Sequence, residues 1–454
     1  MLIRFVVENM FSFGEQKEFS LIPNKRLKTL EHHRYSINDF DILKMASIYG
    51  ANGAGKSNLI KSIELLQGLV LDNVKLFQIK DAKFKLDKDA ANKSQILALE
   101  FFQDDTSFYY ALEVEGDIIA TEELYISGLG EKDELIYERK TNSEGETTIN
   151  FLKDFEKDKK GAMLKTILIE EFVKPDELVL RFIANRDNKL LKPAKIAFEW
   201  FKNTLVVITP NSRPGALPHK IDIDKDFKNY AQDLMCSFNL GISDLTADRV
   251  SAKDFFGEEN LKQMKEIVKE LDNYPNRIMG VRSRLGDEYV IVKEEGGTWV
   301  KSIKIGHVGS GGENVFFDLK EESDGTVRLL DFLPAFESLL KERCVYLIDE
   351  IERSIHPLLI KELVQKYSHD KNTKGQLIFT THESNLLNQD FFRRDEIWFA
   401  EKNMSGSTDI YSLNDFKEHN TIDIERGYLS GRYGSIPFLG NLQELNWHKH
   451  DTDE

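Results

Sequence analysis

The chain has 454 residues, 41% hydrophobic and 30% charged, with a formal net charge of −16. That length buries a sizeable core and has room for two or three domains. The acidic balance opposes non-specific adsorption to nucleic acid, because phosphate binding draws on clustered Lys and Arg; composition therefore gives DNA binding no support.

The opening, LIRFVVENMFSF, alternates apolar and polar residues and predicts a strand leading into a bend. Its charges fall where a signal peptide needs an apolar core, and no later run nears the roughly 18–20 apolar residues of a membrane span. Two cysteines, Cys236 and Cys344, make neither a disulfide framework nor a zinc site. Cytoplasm is the expected compartment, with no membrane partner.

Leu43–Tyr49 reads as a buried strand, and Ser57–Leu71 has helical spacing of apolar residues. Between Ile96 and Ile126, short alternating runs predict antiparallel strands. From about residue 155 the pattern turns helical, at Lys165–Phe172, Ile196–Leu205 and Glu258–Leu271. Strand hairpins resume at Glu288–Lys293 and Thr298–His307, and the rest alternates helix and buried strand, as a parallel α/β sheet requires. The expected fold class is α/β: an N-terminal part over 1–154, an inserted mostly helical lobe over 155–283, and a C-terminal part over 284–454.

Gly50-Ala-Asn52-Gly53-Ala54-Gly55-Lys56-Ser57 fits G-x-x-x-x-G-K-[ST]. Its glycines let backbone N–H groups of residues 52–55 wrap phosphates, and Lys56 reaches the β and γ phosphates. Ser57 holds Mg²⁺, and the helix that continues through Asn58 offers its positive end. The motif follows a predicted strand and opens a helix, which is the context it needs. ATP with Mg²⁺ is the expected cofactor pair.

Val345-Tyr-Leu-Ile-Asp349-Glu350 describes a buried strand that delivers carboxylates to a sheet edge. Asp349 suits the metal side, and Glu350 suits a base that polarises water. Leu377-Ile-Phe-Thr-Thr-His382 is a second such strand, ending in a histidine within reach of a γ-phosphate.

Two phrases, Ser310-Gly-Gly-Glu and Ser323-Asp-Gly325-Thr326, compete for a phosphate-capping role. Such a phrase belongs at a helix N-terminus, where unpaired N–H groups favour an anion. VRLLDFLPAFESLL follows the second phrase with helical spacing, although Pro334 predicts a kink or break. A strand-like run follows the first, which makes it a hairpin turn. Ser323 is therefore preferred to Ser310.

The phrases IYGANGAGKSNLIK, EESDGTVRLL, LIDEIERSIHP, FTTHESNLL and GRYGSIPFL together resemble the ABC-type ATPases of the SMC, RecF and OLD group. Within that group the resemblance runs to the small ATPases of bacterial anti-phage systems such as the PARIS type. It covers both ends of the chain well and the middle loosely. It implies an ABC-type ATPase head: a mixed sheet with an antiparallel β lobe and a P-loop parallel core.

It also implies a homodimer or higher homo-oligomer in which Ser323, Gly325 and Thr326 face the nucleotide held by the other subunit. Ser354-Ile-His356 takes the place of the D-loop at that interface. The Q-loop glutamine stays open between Gln78 and Gln95.

Glu258–Leu271 is far too short for the coiled-coil arms of true SMC proteins. The residues after His382 are too few for the TOPRIM nuclease of OLD proteins. The expectation is an ATP-hydrolysing regulator of a separate effector, a nuclease or toxin, responding to a phage-encoded trigger. The rivals are a RecF-like DNA-maintenance ATPase and an ATP-stabilised scaffold.

Overall fold

The computed structural model describes residues 1–37, 40–186, 188–274, 277–282, 288–416 and 423–436. It has a mixed α/β architecture with parallel and antiparallel strands. Two compact units divide the chain: Met1–Val207 with Cys344–Glu350 and Gln376–Glu454, and Ile208–Arg343 with Ile351–Gly375.

Among the described residues the first unit carries two large sheets and a two-stranded antiparallel pair, Arg34–Ile37 with Phe40–Leu43. In the seven-stranded one, the order is Thr147–Phe151, Glu134–Thr141, Ile118–Ile126, Thr106–Glu115, Gln95–Gln103, Leu2–Glu8 and Lys17–Ser20. Every pairing in it is antiparallel. Inward-facing Phe5, Leu97, Leu99, Phe101 and Tyr110 build its core.

The six-stranded sheet runs Leu205–Ile208, Val345–Ile348, Gln376–Thr381, Met45–Tyr49, Ile397–Lys402 and Thr408–Ser412. Its central pairings are parallel, and the last is antiparallel. Met45–Tyr49, Val345–Ile348 and Gln376–Thr381 are buried at every residue, which is why they read as continuous apolar runs.

The breaks expected at 154/155 and 283/284 do not match the compact units. Residues 155–207 pack with the antiparallel sheet, because Trp200 stacks on Phe101 at 4.3 Å and Phe201 meets it edge-on at 5.6 Å. Helical spacing in the sequence cannot say which sheet such a helix covers.

Glu122 locks the same joint from inside. Fully buried, its carboxylate accepts from the phenols of Tyr110 (3.1 Å) and Tyr137 (2.7 Å) and from the Val179 (2.7 Å) and Leu180 (3.1 Å) amides. Burial first, then the Glu122 carboxylate, pushes both phenols well above their ordinary range, so they stay protonated donors. Glu122→Gln keeps the shape but turns an amide donor toward these donors. We expect a loss of about 3 kcal/mol, read as a lower urea midpoint. An unchanged midpoint would refute the role of this carboxylate.

The second unit holds a five-stranded antiparallel sheet: Ile242–Ser251, Gly297–Val308, Glu288–Glu294 and Met279–Arg282 in that order, with Asn314–Asp318 also paired to Gly297–Val308. The stretch expected to be mostly helical up to residue 283 therefore contributes two strands to this sheet. A small core of Ala252, Phe256, Leu271, Ile291 and Val300 sits beneath it.

The helix Asp324–Lys341 runs unbroken through Pro334, against expectation. Buried Leu333, Ala335 and Phe336 hold the turn that lacks one N–H donor. Ser310 lies in the turn joining Gly297–Val308 to Asn314–Asp318, closed by Gly309 N–H on the Glu313 carbonyl at 2.7 Å. That is the hairpin its flanking residues predict.

Candidate functional site

The P-loop leaves the carboxyl end of Met45–Tyr49 and enters the helix Lys56–Val70. Gly53 and Gly55 have φ of 78° and 110°, a region closed to most side chains. At Gly55 a Cβ would also collide with the hydroxyls of Thr408 and Ser12. Asn52 and Gly53 are exposed, Ala54 is buried, and Ser57 and Asn58 are half-buried in the first helical turn. The buried Lys56 ammonium donates to the carbonyls of Gly50 (2.7 Å) and Ala51 (3.2 Å) and lies 3.2 Å from His382 Nδ1.

Strand register brings the rest together. Tyr49 pairs with Thr381, so the next residues, Gly50 and His382, leave adjacent strands side by side. Ile348 pairs with Phe379, so Asp349 and Thr380 are neighbours in the same way. The Thr380 hydroxyl donates to Asp349 Oδ1 at 2.6 Å and accepts from the Glu350 amide at 2.8 Å. Glu350 adopts φ of 51°, uncommon for a side-chain-bearing residue and a form of strain that recurs at functional sites. Lys56, His382, Asp349 and Glu350 thus converge at the carboxyl ends of three adjacent parallel strands, where α/β sheets bind ligands.

Glu64 lies about two helical turns beyond Ser57; burial first raises its carboxyl above the usual range, with the nearby Asp349 charge adding to it and Lys61 opposing it. Among the described residues no group of three or more His, Cys, Asp or Glu is arranged to hold a metal by itself. The Ser57 hydroxyl and the Asp349 carboxylate suit a hard ion such as Mg²⁺, which takes one or two protein oxygens and completes its shell with water and phosphate.

Ser323, Gly325 and Thr326 lie in the second unit. Ser323 caps the helix Asp324–Lys341, accepting from Thr326 N–H at 3.1 Å. Gly325 sits against the Ser354 carbonyl, 2.7 Å from where a Cβ would be, and Ser354 has φ of 64°. His356 caps the helix Pro357–His369 through the Leu358 amide at 3.3 Å. The capping phrase and the Ser354–His356 stretch are therefore packed together, which their separation in sequence did not reveal.

Of the two glutamines considered for the Q-loop, Gln95 is buried with its amide on the Ile79 carbonyl at 2.6 Å, and Gln78 is exposed, its Oε1 accepting from the Lys75 amide at 3.0 Å. Of the phrase at 431–439, residues 437–439 lie outside the described residues. Sequence reasoning missed Thr380 and the hydroxyls of Ser12 and Thr408. Only Thr380 left a signal, standing two residues before the singled-out His382.

The family model described as "AAA domain, putative AbiEii toxin, Type IV TA system" matches residues 45–206 and 207–388. The chain belongs to this AAA-domain family. As a member it is a P-loop ATPase, a class that binds ATP and usually Mg²⁺. The family match starts at the P-loop strand and ends just beyond His382, so it spans every element of the site.

No curated protein sequence matches the chain. Among solved structures, an SMC head bound to the C-winged helix domain of ScpA is similar at 14% identity and a TM-score of 0.42, covering 90% of this chain and 97% of that one. The SMC head domain from Thermotoga maritima is similar at 12% identity and a TM-score of 0.40, covering 90% and 98%. An SMC head with an extended coiled coil, bound to a ScpA domain derived from Pyrococcus furiosus, stands at 12% and 0.39, covering 95% and 98%. No helix among the described residues is long and apolar enough to cross a membrane.

Proposed function

We propose that the chain is an ABC-type ATPase that works as a sandwich homodimer and controls a separate toxic effector in anti-phage defence. The observation that carries the ATPase chemistry is the meeting of Lys56, His382, Asp349 and Glu350 at one sheet edge. In this reading the backbone of residues 52–55 and the first turn through Asn58 cradle the phosphates. Lys56 leaves the Gly50 and Ala51 carbonyls for the β and γ phosphates. Ser57 and Asp349 would hold Mg²⁺, which would supply charge neutralisation to the phosphates.

Glu350 orients and deprotonates the attacking water, and His382 donates to the γ-phosphate. Thr380 fixes the Asp349 carboxylate and the Glu350 backbone at once, so metal ligand and base keep a constant separation. Ser323, Gly325 and Thr326 complete the site of the partner subunit, with Ser354 and His356 at the same interface. The regulatory role rests on the resemblance to anti-phage ATPases, and the family's toxin-linked description is compatible with it. The effector, a nuclease or toxin, and a phage-encoded trigger are separate molecules.

Because no subunit holds a complete site, specific activity rises with protein concentration around the dimerisation constant. ATPase assays across a wide dilution series, with sedimentation at the same concentrations, test this. A concentration-independent rate from a proven monomer would rule out the sandwich dimer.

One observation favours a DNA-maintenance role as a second reading. Arg186, Lys189, Lys192 and Lys195 line a cavity of about 550 Å³ in the first unit, and none has a carboxylate partner among the described residues. Duplex DNA that stimulates hydrolysis in a salt-sensitive way would select this reading over the first.

A further inference from the structure

The phrase that begins at Gly431 lies outside the proposed ATP site, yet its described residues belong to the same compact unit as His382 and the P-loop. Just before it stands the short helix Ile424–Leu429, capped by Asp423, which accepts from the Arg426 amide at 2.9 Å. Ile424, Gly427 and Tyr428 are buried, so one face of this helix is packed into the fold. Residues 431–436 then fold back over it.

The return is closely built. Arg432 N–H donates to the Gly427 carbonyl at 3.0 Å, and the Tyr428 hydroxyl donates to the Ser435 carbonyl at 3.1 Å. A Cβ on Gly427 would stand 2.7 Å from the Tyr433 ring, so only glycine fits there. Phe399 stacks with Tyr428 at 5.7 Å and with Tyr433 at 5.6 Å. The Tyr411 hydroxyl donates to the Tyr433 carbonyl at 2.7 Å, and Ser435 N–H donates to the Glu401 carboxylate at 3.0 Å. Phe399, Glu401 and Tyr411 lie on the last two strands of the six-stranded sheet. The helix is therefore fastened to the edge of the sheet that carries the site.

From there it reaches the ends of two strands that lead into the site. Tyr428 meets the ring of Tyr49 edge-on at 6.0 Å, and Tyr49 is the residue before Gly50. The half-buried Glu425 accepts from the Ser384 hydroxyl at 3.1 Å, and Ser384 stands two residues after His382. Glu383 N–H donates to Thr381 Oγ1 at 3.0 Å on the other side of the same turn. The His382 turn is thus held by Thr381 from the strand and by Glu425 from the helix. With the strand side alone, the turn is free to swing the imidazole away from a γ-phosphate.

We infer that Glu425 is a positioning residue: through Ser384 it fixes the turn that presents His382, and residues 431–436 hold the helix that carries it. The inference rests on the proposed role of His382 toward the γ-phosphate. Glu425 needs no contact with the nucleotide to act in this way.

The test is steady-state ATP hydrolysis by the full chain, with kcat and KM measured separately. Wild type is compared with Glu425→Ala, Glu425→Gln, Ser384→Ala, His382→Ala and the double variant Glu425→Ala with His382→Ala, alongside their thermal melts. Glu425→Ala and Ser384→Ala should each lower kcat about tenfold and leave KM within about twofold, as for a misplaced group that acts in the transition state. Glu425→Gln keeps an acceptor for the Ser384 hydroxyl and should recover most of the loss. In the His382→Ala background, Glu425→Ala should cost nothing further, because the group it acts through is gone. Should Glu425→Ala melt early, Ser384→Ala removes the same bond from the other side and carries the test, alone and with His382→Ala.

If His382→Ala lowers turnover while Glu425→Ala and Ser384→Ala turn over as wild type does, this inference falls and His382 keeps its role. The same holds if the losses multiply in the double variant. If His382→Ala leaves turnover unchanged, the proposed role of His382 falls and this inference with it.

Discussion

Glu350→Gln should reduce ATP turnover by about a thousandfold while leaving ATP affinity within a few-fold of wild type. The amide keeps the length and the backbone bond to Thr380, which accepts from Glu350 N–H rather than from its side chain. What disappears is the capacity to take a proton from water. With hydrolysis blocked, ATP no longer leaves the site as product, so the variant should accumulate as an ATP-bound dimer. Single-turnover assays and sedimentation with ATP read the two effects separately.

The same variant separates regulator from scaffold. If turnover drives signalling, Glu350→Gln binds ATP and loses function; a scaffold keeps both its partner and its activity. Turnover close to wild type would remove Glu350 from the role of base altogether.

Ser323→Ala should lower hydrolysis at least about a hundredfold, and Ser310→Ala should leave it within twofold. Ser323 stands at the start of an 18-residue helix, where an anion meets free N–H groups and the positive end of the dipole. Ser310 sits in a hairpin turn, with no helix behind it. The decisive version mixes two dead proteins. A Lys56→Ala subunit lacks a working P-loop but presents Ser323, and a Ser323→Ala subunit has the converse defect.

Random pairing gives half heterodimers, each with one intact site of two. The mixture should recover about a quarter of wild-type activity, as a symmetric dimer with shared sites requires. No recovery, from subunits shown to exchange, would mean that Ser323 does not act across the interface. Loss of hydrolysis in Ser310→Ala alone would reverse the choice between the two phrases.

The linear chain displays the groups that chemistry needs on consecutive residues. Gly50 to Ser57, Asp349 with Glu350, and His382 each sit at the end of an apolar run, so strand, turn and candidate site residue are read from one stretch. The helix after Ser323 and the strand after Ser310 were legible for the same reason: helical or alternating spacing follows each phrase directly. Mixed α/β class and the parallel core follow from the alternation of helical and buried-strand patterns.

Tertiary structure alone decided which of these ends stand next to one another. Gln376–Thr381 lies between the P-loop strand and the Asp349 strand, an order set by packing that no local pattern encodes. Register then placed His382 beside Gly50 and Thr380 beside Asp349, giving the hydroxyl bridge that joins the Asp349 carboxylate to the Glu350 backbone. Residues 155–207 joined the antiparallel sheet rather than forming a lobe because Phe101 stacks on Trp200 and Glu122 caps the Val179 turn, contacts between residues far apart in the chain. Ser12, Thr408 and Lys402 show the limit most sharply: Thr408 and Ser12 are 396 residues apart yet share one hydrogen bond beside Gly55. Their residue types are ordinary, and only the tertiary fold brings them together.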